Sequence, residues 1–258
     1  MFRIATFNLH QGFHRWDERR HLVVEQLSDL RPDILCLNEI SIPKDSGRWL
    51  WHEAKKLGLN YSYIQQTKTN MLSEDEGQAI LSRFRVLESG HFNYQARGRI
   101  AQVVRLEIDG SVVDVYLTHL HHIAQEDGLR QYQVQRLLKW IDGRDQPDSV
   151  LVCGDFNAAP GMQSIQLMQE KFQATQLLPT FPTALRQKDW GSENTEEHGA
   201  SSPQFRPLIA CLDYIWYQPT LRLVAGGLCF DKPSSRDPLL WPSDHIGIWA
   251  DVEFQSEG

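Results

Sequence analysis

Val150-Leu151-Val152-Cys153-Gly154-Asp155-Phe156-Asn157 is the most informative stretch of this 258-residue chain. Its apolar half reads as a buried strand, and the run stops on a glycine, a carboxylate, an aromatic ring and an amide. A charged group beside a buried strand is costly unless it is paired or ligates a cation. The same signature recurs outward in both directions. Residues 2–7 run into Asn8, residues 34–37 into Asn38-Glu39, and residues 111–117 into Thr118-His119-Leu120. Asp213 opens the apolar run 212–217, and Asp244-His245 precedes the run 246–252. Any one of these alone reads as a capping or turn residue. Their recurrence points to a shared polar pocket.

The segments between them alternate in character. Leu22, Val23, Leu27 and Leu30 lie at helical spacing and Pro32 stops the run, which predicts a helix over 19–30. Helices are also predicted over 49–57, closed by Gly58, and over 129–141, which carries Val134, Leu137, Leu138 and Ile141. Short strands are predicted over 61–64, 78–81 and 221–224. The arms 100–108 and 111–117 flank Asp109-Gly110, the clearest hairpin signal in the chain. Residues 183–207 turn polar and irregular, longer than an ordinary connection and of the kind that is either a functional lid or disordered. No repeat or dividing linker is visible, so 1–258 is expected to be a single catalytic domain.

Taken in order, Thr6-Phe7-Asn8, Asn38-Glu39, Gly77-Gln78-Ala79-Ile80-Leu81-Ser82-Arg83, Thr118-His119-Leu120, Gly154-Asp155-Phe156-Asn157, Leu212-Asp213-Tyr214-Ile215 and Ser243-Asp244-His245 span nearly the whole chain. This set resembles the endonuclease/exonuclease/phosphatase superfamily, which includes DNase I-like nucleases, inositol-phosphate phosphatases and sphingomyelinases. Gly-Asp-Phe-Asn followed far downstream by Ser-Asp-His is a specific combination, whereas Thr-His-Leu or Asn-Glu alone is weak. One departure is Asn38, where the family more often has Gln. The family's second-strand Tyr and Arg contacts are not clearly placed, and Arg97 is a candidate phosphate contact.

The resemblance implies a four-layer α/β/β/α sandwich of two mixed β-sheets with helices outside and the site at one end. It implies a hydrolase that cleaves a phosphate ester with Mg²⁺ or Mn²⁺. Glu39 and Asn8 become metal-site residues, with Asp244 a further acidic ligand. Asp155, Asn157, His245, Asp213 and His119 become catalytic: Asn157 and His119 donate to the reacting phosphate, and Asp213 holds His245. Two assignments of the base stay open, Asp155 or the Asp213-supported His245. The hard oxygen donors suit magnesium or manganese better than zinc, which argues against a zinc reading of His119, His121 and His122.

Substrate class also stays open at this level. The net charge of −7 carries no basic footprint of a dedicated nucleic-acid binder, which leans toward a small-molecule or lipid-headgroup phosphoesterase. The alternative is an endo- or exonuclease, with Trp49, Trp51, Trp190 and Trp241 as base-stacking candidates. A catalytically inactive scaffold is more remote, because all eight site residues are present. Four scattered cysteines without a CxxC pair fit a reduced, cytoplasmic protein. With no signal-peptide stretch and no run near the roughly 20 apolar residues a membrane helix needs, no membrane insertion is expected. No obligate protein partner is implied.

Overall fold

A computed structural model describes residues 1–68, 75–182 and 209–255. The predicted 183–207 loop, with Trp190, lies outside them. Strands β1 (Phe2–Asn8), β2 (Ile34–Ser41), β3 (Ser62–Thr67) and β4 (Glu76–Ser82) join β13 (Leu221–Cys229) and β14 (Gly247–Phe254) in one sheet. Its order is β13-β14-β1-β2-β4-β3. The second sheet holds β5 (Arg85–Asn93), β6 (Ile100–Ile108), β7 (Ser111–His119), β8 (Ser149–Asp155), β9 (Gln173–Ala174) and β12 (Asp213–Tyr217). Its order is β5-β6-β7-β8-β12-β9. The two-residue strands β10 (Phe181–Pro182) and β11 (Ile209–Ala210) pair separately.

Each sheet has one parallel pair, β1/β2 and β7/β8. A parallel pair needs a crossover, supplied by helices α1 (Trp16–Leu30) and α3 (Asp127–Asp142). Alternate residues of both sheets, among them Ile4, Cys36, Ile80, Val104, Leu117, Cys153 and Ile215, pack face to face in the central core. Helices α1 and α2 (Ser46–Lys56) lay Val23, Leu27, Leu50 and Ala54 on the outer face of the first sheet. Helices α3 and α4 (Gln163–Gln169) lay Val134, Leu137, Ile165 and Met168 on the second. The four layers predicted from the resemblance are present, and all four cysteines are buried and unpaired.

Five elements escaped the sequence patterns: strand β5, helix α4 and the two-residue strands β9, β10 and β11. Strand β5 is a sheet edge, largely exposed, with a register shift between Val86 and Glu88 that breaks its alternation. Helix α4 has seven residues, too few to display a helical period. Helix α1 also begins earlier than its apolar spacing indicates, because Trp16 and Arg19 on its first turn are buried.

At one end of the sandwich the two sheets touch through polar groups. Asn38 on β2 donates from Nδ2 to the Thr118 carbonyl at 3.1 Å and accepts the Asp155 N–H on Oδ1 at 3.0 Å. Close approach here requires Gly154, whose φ is +125° and whose added Cβ would stand 2.0 Å from the Thr118 carbonyl oxygen. Asn38→Ala would strand a buried donor and a buried acceptor, and should cost about 1–3 kcal/mol in urea unfolding with an unchanged m-value. A variant as stable as the wild type would show that this amide does not hold the sheets together.

Candidate active site

Register alone aligns three functional side chains on the second sheet. Asp155 pairs with His119 on one side and with Asp213 on the other. His245 then closes the row: its Nδ1 lies 2.9 Å from Asp213 Oδ2, and its Nε2 lies 3.8 Å from Asp155 Oδ2. From the first sheet comes Asn8, whose Nδ2 is 3.2 Å from both Glu39 Oε1 and Asp155 Oδ2. One amide therefore bridges carboxylates carried by opposite sheets. Glu39 reaches inward because β2 slips register between Leu37 and Ile40, with Glu39 itself at φ 51°. Asn157 also takes a left-handed φ of 50°, its N–H donating to Asp155 Oδ1 at 2.8 Å and its Nδ2 to the Leu120 carbonyl at 3.2 Å. Such backbone strain persists only where surrounding contacts enforce it.

His119 is buried with Nδ1 at 3.2 Å from Glu76 Oε1. Its Nε2 faces Asp155 Oδ2 at 3.5 Å and Glu39 Oε1 at 3.8 Å. Glu76 is also ion-paired to the fully buried Lys68, and Arg99 Nη1 lies 3.8 Å from it. Asp244 is placed differently: its Oδ1 faces His10 Nδ1 at 3.0 Å and the Ser243 hydroxyl at 3.3 Å. Ser243 in turn donates to the Asn8 carbonyl at 2.7 Å, tying the Asp244 turn to the end of β1.

The electrostatics follow from burying this many acids together. Burial, then the neighbouring Asp213 charge, pushes the Asp155 carboxyl up to about 7, while His245 pulls the other way. For His245, burial favours the neutral ring, but Asp213 and then Asp155 outweigh it and raise the imidazole to about 10. Burial, with Arg99 and Lys68 close by, lowers His119 well below the usual histidine range. Burial would raise Glu76, yet Lys68, His119 and Arg99 hold it far below the ordinary carboxylate range. Burial and Arg99 bring Lys68 down to about 8. These surroundings favour the neutral ring at His119 and the protonated ring at His245.

The structure gathers Asn8, Glu39, His119, Asp155, Asp213 and His245 into one contact network and sets Asn157 at its edge. Asp244 borders the network through Ser243 and His10. Four neighbours were not singled out from sequence: Glu76, Lys68, Arg99 and His10. Glu76 stands directly before the Gly77-Gln78 motif, which was the one available signal. Arg97 is exposed, and Arg99 two residues later is the buried cation beside the site. His121 is buried against Glu126 and Gln133, and His122 lies 3.2 Å from Arg99. Trp49 packs on Trp16 and His21, and Trp51 packs on Tyr63 and donates to the Tyr61 carbonyl, so both serve packing.

Among the described residues, two groupings bring potential ligand atoms within 4.8 Å of one another: Glu39–Glu76–His119 and Asp155–Asp213–His245. Asp213 Oδ1 is buried without a hydrogen-bond partner, which fits a donor set awaiting positive charge.

The Endonuclease/Exonuclease/phosphatase family model matches residues 5–245, and the chain belongs to this family. Nocturnin of Xenopus laevis is 25% identical over 94% of this chain and 66% of its own length. Nocturnin of Homo sapiens is 26% identical over 94% of this chain and 59% of its own length. The chain thus spans about three fifths to two thirds of these relatives. The human Nocturnin catalytic domain with bound sulfate superposes with a TM-score of 0.73 at 23% identity, covering 98% of this chain and 93% of that one. TDP2 of D. rerio complexed with single-strand DNA product gives 0.75 at 16% identity, covering 98% of each chain. At these identities the superpositions establish the fold.

The raised Asp155 carboxyl has a consequence for stability. A folded pKa near 7, above the unfolded value of about 3.9, means the metal-free fold loses stability as pH rises through that window. In chelator, Asp155→Asn should remove at least about 1 kcal/mol of the decline between pH 4.5 and 7.5, measured by urea unfolding of both proteins. Parallel pH profiles for the two would contradict the assignment.

Proposed function

We propose that this protein hydrolyses phosphate esters with a divalent cation, Mg²⁺ or Mn²⁺, within a single catalytic domain built from both sheets. The observation that carries the reading is the contact chain Glu39–Asn8–Asp155–His245–Asp213, drawn from both sheets into one buried pocket. Such a reaction asks for charge neutralisation on the phosphate, a positioned nucleophile and stabilisation of the departing oxygen.

The donor set fits a hard dication. Glu39 and Asn8 would hold it, with Asp155 in reach and Asp244 adjoining. Asn8 presents its N–H to the carboxylates and its Oδ1 to the His10 N–H at 2.9 Å, so ligation through Oδ1 requires the amide to rotate. When bound, the cation supplies charge to the non-bridging phosphate oxygens. The remaining work falls to the chain. Asp155, with its carboxyl raised toward neutrality, takes the proton of the attacking water. His245 keeps its proton because of Asp213 and donates from Nε2 to a phosphate oxygen. This division of labour follows from two titratable groups pushed in different senses by one environment.

His119 can donate from Nε2 only as the imidazolium, since Nδ1 addresses Glu76. An entering phosphate adds the negative charge that favours that form. Lys68 and Arg99 lie on the same side and give this half of the pocket its cationic character. Asn157 stands next to Asp155 as a further amide donor to the phosphate.

We favour a small-molecule or headgroup phosphate ester. The chain carries a net −7, and Trp49 and Trp51 are spent on packing. A nucleic-acid substrate is the second reading, favoured by the likeness to the D. rerio TDP2 fold whose structure holds single-strand DNA product. Parallel assays of plasmid nicking, a bis-nitrophenyl phosphodiester and phosphoinositides separate the two. The charge distribution predicts turnover of the compact esters exceeding that of DNA, and preferential cleavage of DNA would reverse the preference.

His245→Ala and Asp155→Asn should each lower kcat by at least about a hundredfold in protein that still folds. Folded variants that keep most of their turnover would remove both residues from the chemistry.

A further inference from the structure

The segment directly after Asn8 is built around a cation of its own. Arg19, on the first turn of α1, has no solvent exposure. Its guanidinium Nη1 donates to the carbonyls of Leu9 at 2.7 Å and Pro242 at 2.8 Å. Its Nη2 donates to His10 at 2.9 Å, Gln11 at 3.0 Å and Phe13 at 3.1 Å, and its Nε to His14 at 3.0 Å. Lys44 takes the remaining carbonyl of the segment, that of Gly12, at 2.5 Å. Every carbonyl from Leu9 to His14 therefore points at a cation.

That arrangement is paid for in backbone strain: His10, Gln11, His14 and Arg15 all hold left-handed φ values between 41° and 53°. What the strained segment delivers is contact with the pocket. The His10 N–H meets Asn8 Oδ1, the His10 ring meets Asp244 Oδ1, and Gln11 Nε2 meets Glu76 Oε2 at 3.2 Å. The Pro242 carbonyl, held by the same guanidinium, immediately precedes Ser243-Asp244-His245. One side chain thus grips two segments more than two hundred residues apart, each carrying part of the site.

We infer that Arg19 is a positioning residue for the cation pocket, setting Asn8, Glu76 and Asp244 through the carbonyls of Leu9, His10, Gln11, Phe13, His14 and Pro242. This rests on the phosphoesterase reading above and extends it to a residue outside the pocket. Burial pulls the guanidinium down to about 10, opposed by the charges of Asp244 and Glu39, so it stays cationic at neutral pH. Lysine cannot reproduce the role. Five N–H donors in a planar fork serve six carbonyls, whereas an ammonium offers three. The device has a counterpart on the second sheet: Arg130, on the first turn of α3, donates to the carbonyls of His121, Ile123 and Ala124 in the loop that follows His119.

The test is Mn²⁺ binding to the metal-free full chain by titration calorimetry, a readout independent of turnover. Arg19→Lys should weaken Mn²⁺ affinity by about tenfold or more, the scale on which outer-shell supports act. Val23→Ala, a buried position on the same helix, should lower the unfolding midpoint and leave Mn²⁺ affinity within about twofold of wild type. A folded Arg19→Lys protein with wild-type affinity, or an equal loss in Val23→Ala, overturns the inference. If Arg19→Lys does not fold, His10→Asn decides. It keeps the carbonyl cage but removes the ring from Asp244, and wild-type Mn²⁺ affinity in that variant also overturns the inference. A wild-type chain that binds no Mn²⁺ would instead overturn the phosphoesterase reading itself.

Discussion

Everything at the functional end of this molecule depends on the clasp between Asn38, Thr118 and Asp155. Two six-stranded sheets held apart by apolar side chains would normally keep polar strand ends on separate rims. Here a single amide spans the gap, and Gly154 removes the Cβ that would keep the sheets from closing. Because Asn38 precedes Glu39 and grips the Asp155 N–H, the clasp sets the distance between a carboxylate of one sheet and a carboxylate of the other. The Gln-to-Asn departure noted in the sequence therefore falls on a residue whose length matters.

The charges explain why the pocket has the partners it has. Glu39, Glu76, Asp155, Asp213 and Asp244 crowd into a space that water does not fill freely, and unpaired buried carboxylates repel one another strongly. Lys68 and Arg99 compensate on one side, and His245 compensates on the other. At Asp155 burial and the Asp213 charge outweigh the pull of His245, so its carboxyl stays raised. A buried acid cluster of this kind is an expensive way to stabilise a fold and an economical way to hold a hard cation.

Strain marks the same places. Glu39 and Asn157 within the network, and His10, Gln11, His14 and Arg15 in the segment that follows Asn8, adopt left-handed backbone conformations. In each case the neighbours that enforce the conformation are visible: a register slip in β2, the Asp155 carboxylate, and the Arg19 guanidinium. The matched family model runs from residue 5 to residue 245 and so spans both ends of the network.

Much of the molecule was legible in one dimension. Buried strands, the Asp109-Gly110 hairpin and two of the amphipathic helices announce themselves through local periodicity, which is a property of consecutive residues. Asn8, Glu39, His119, Asp155, Asp213 and His245 were legible because each interrupts or borders an apolar run. Strand order, the partners of strands other than the two hairpin arms, and the meeting of the two sheets were not, because those pairings join residues far apart in the chain. The roles of Glu76, Lys68, Arg99 and Arg19 were invisible for the same reason. A buried lysine or arginine looks like any surface one until folding removes the water around it, and only the tertiary structure decides which charges lose that water together.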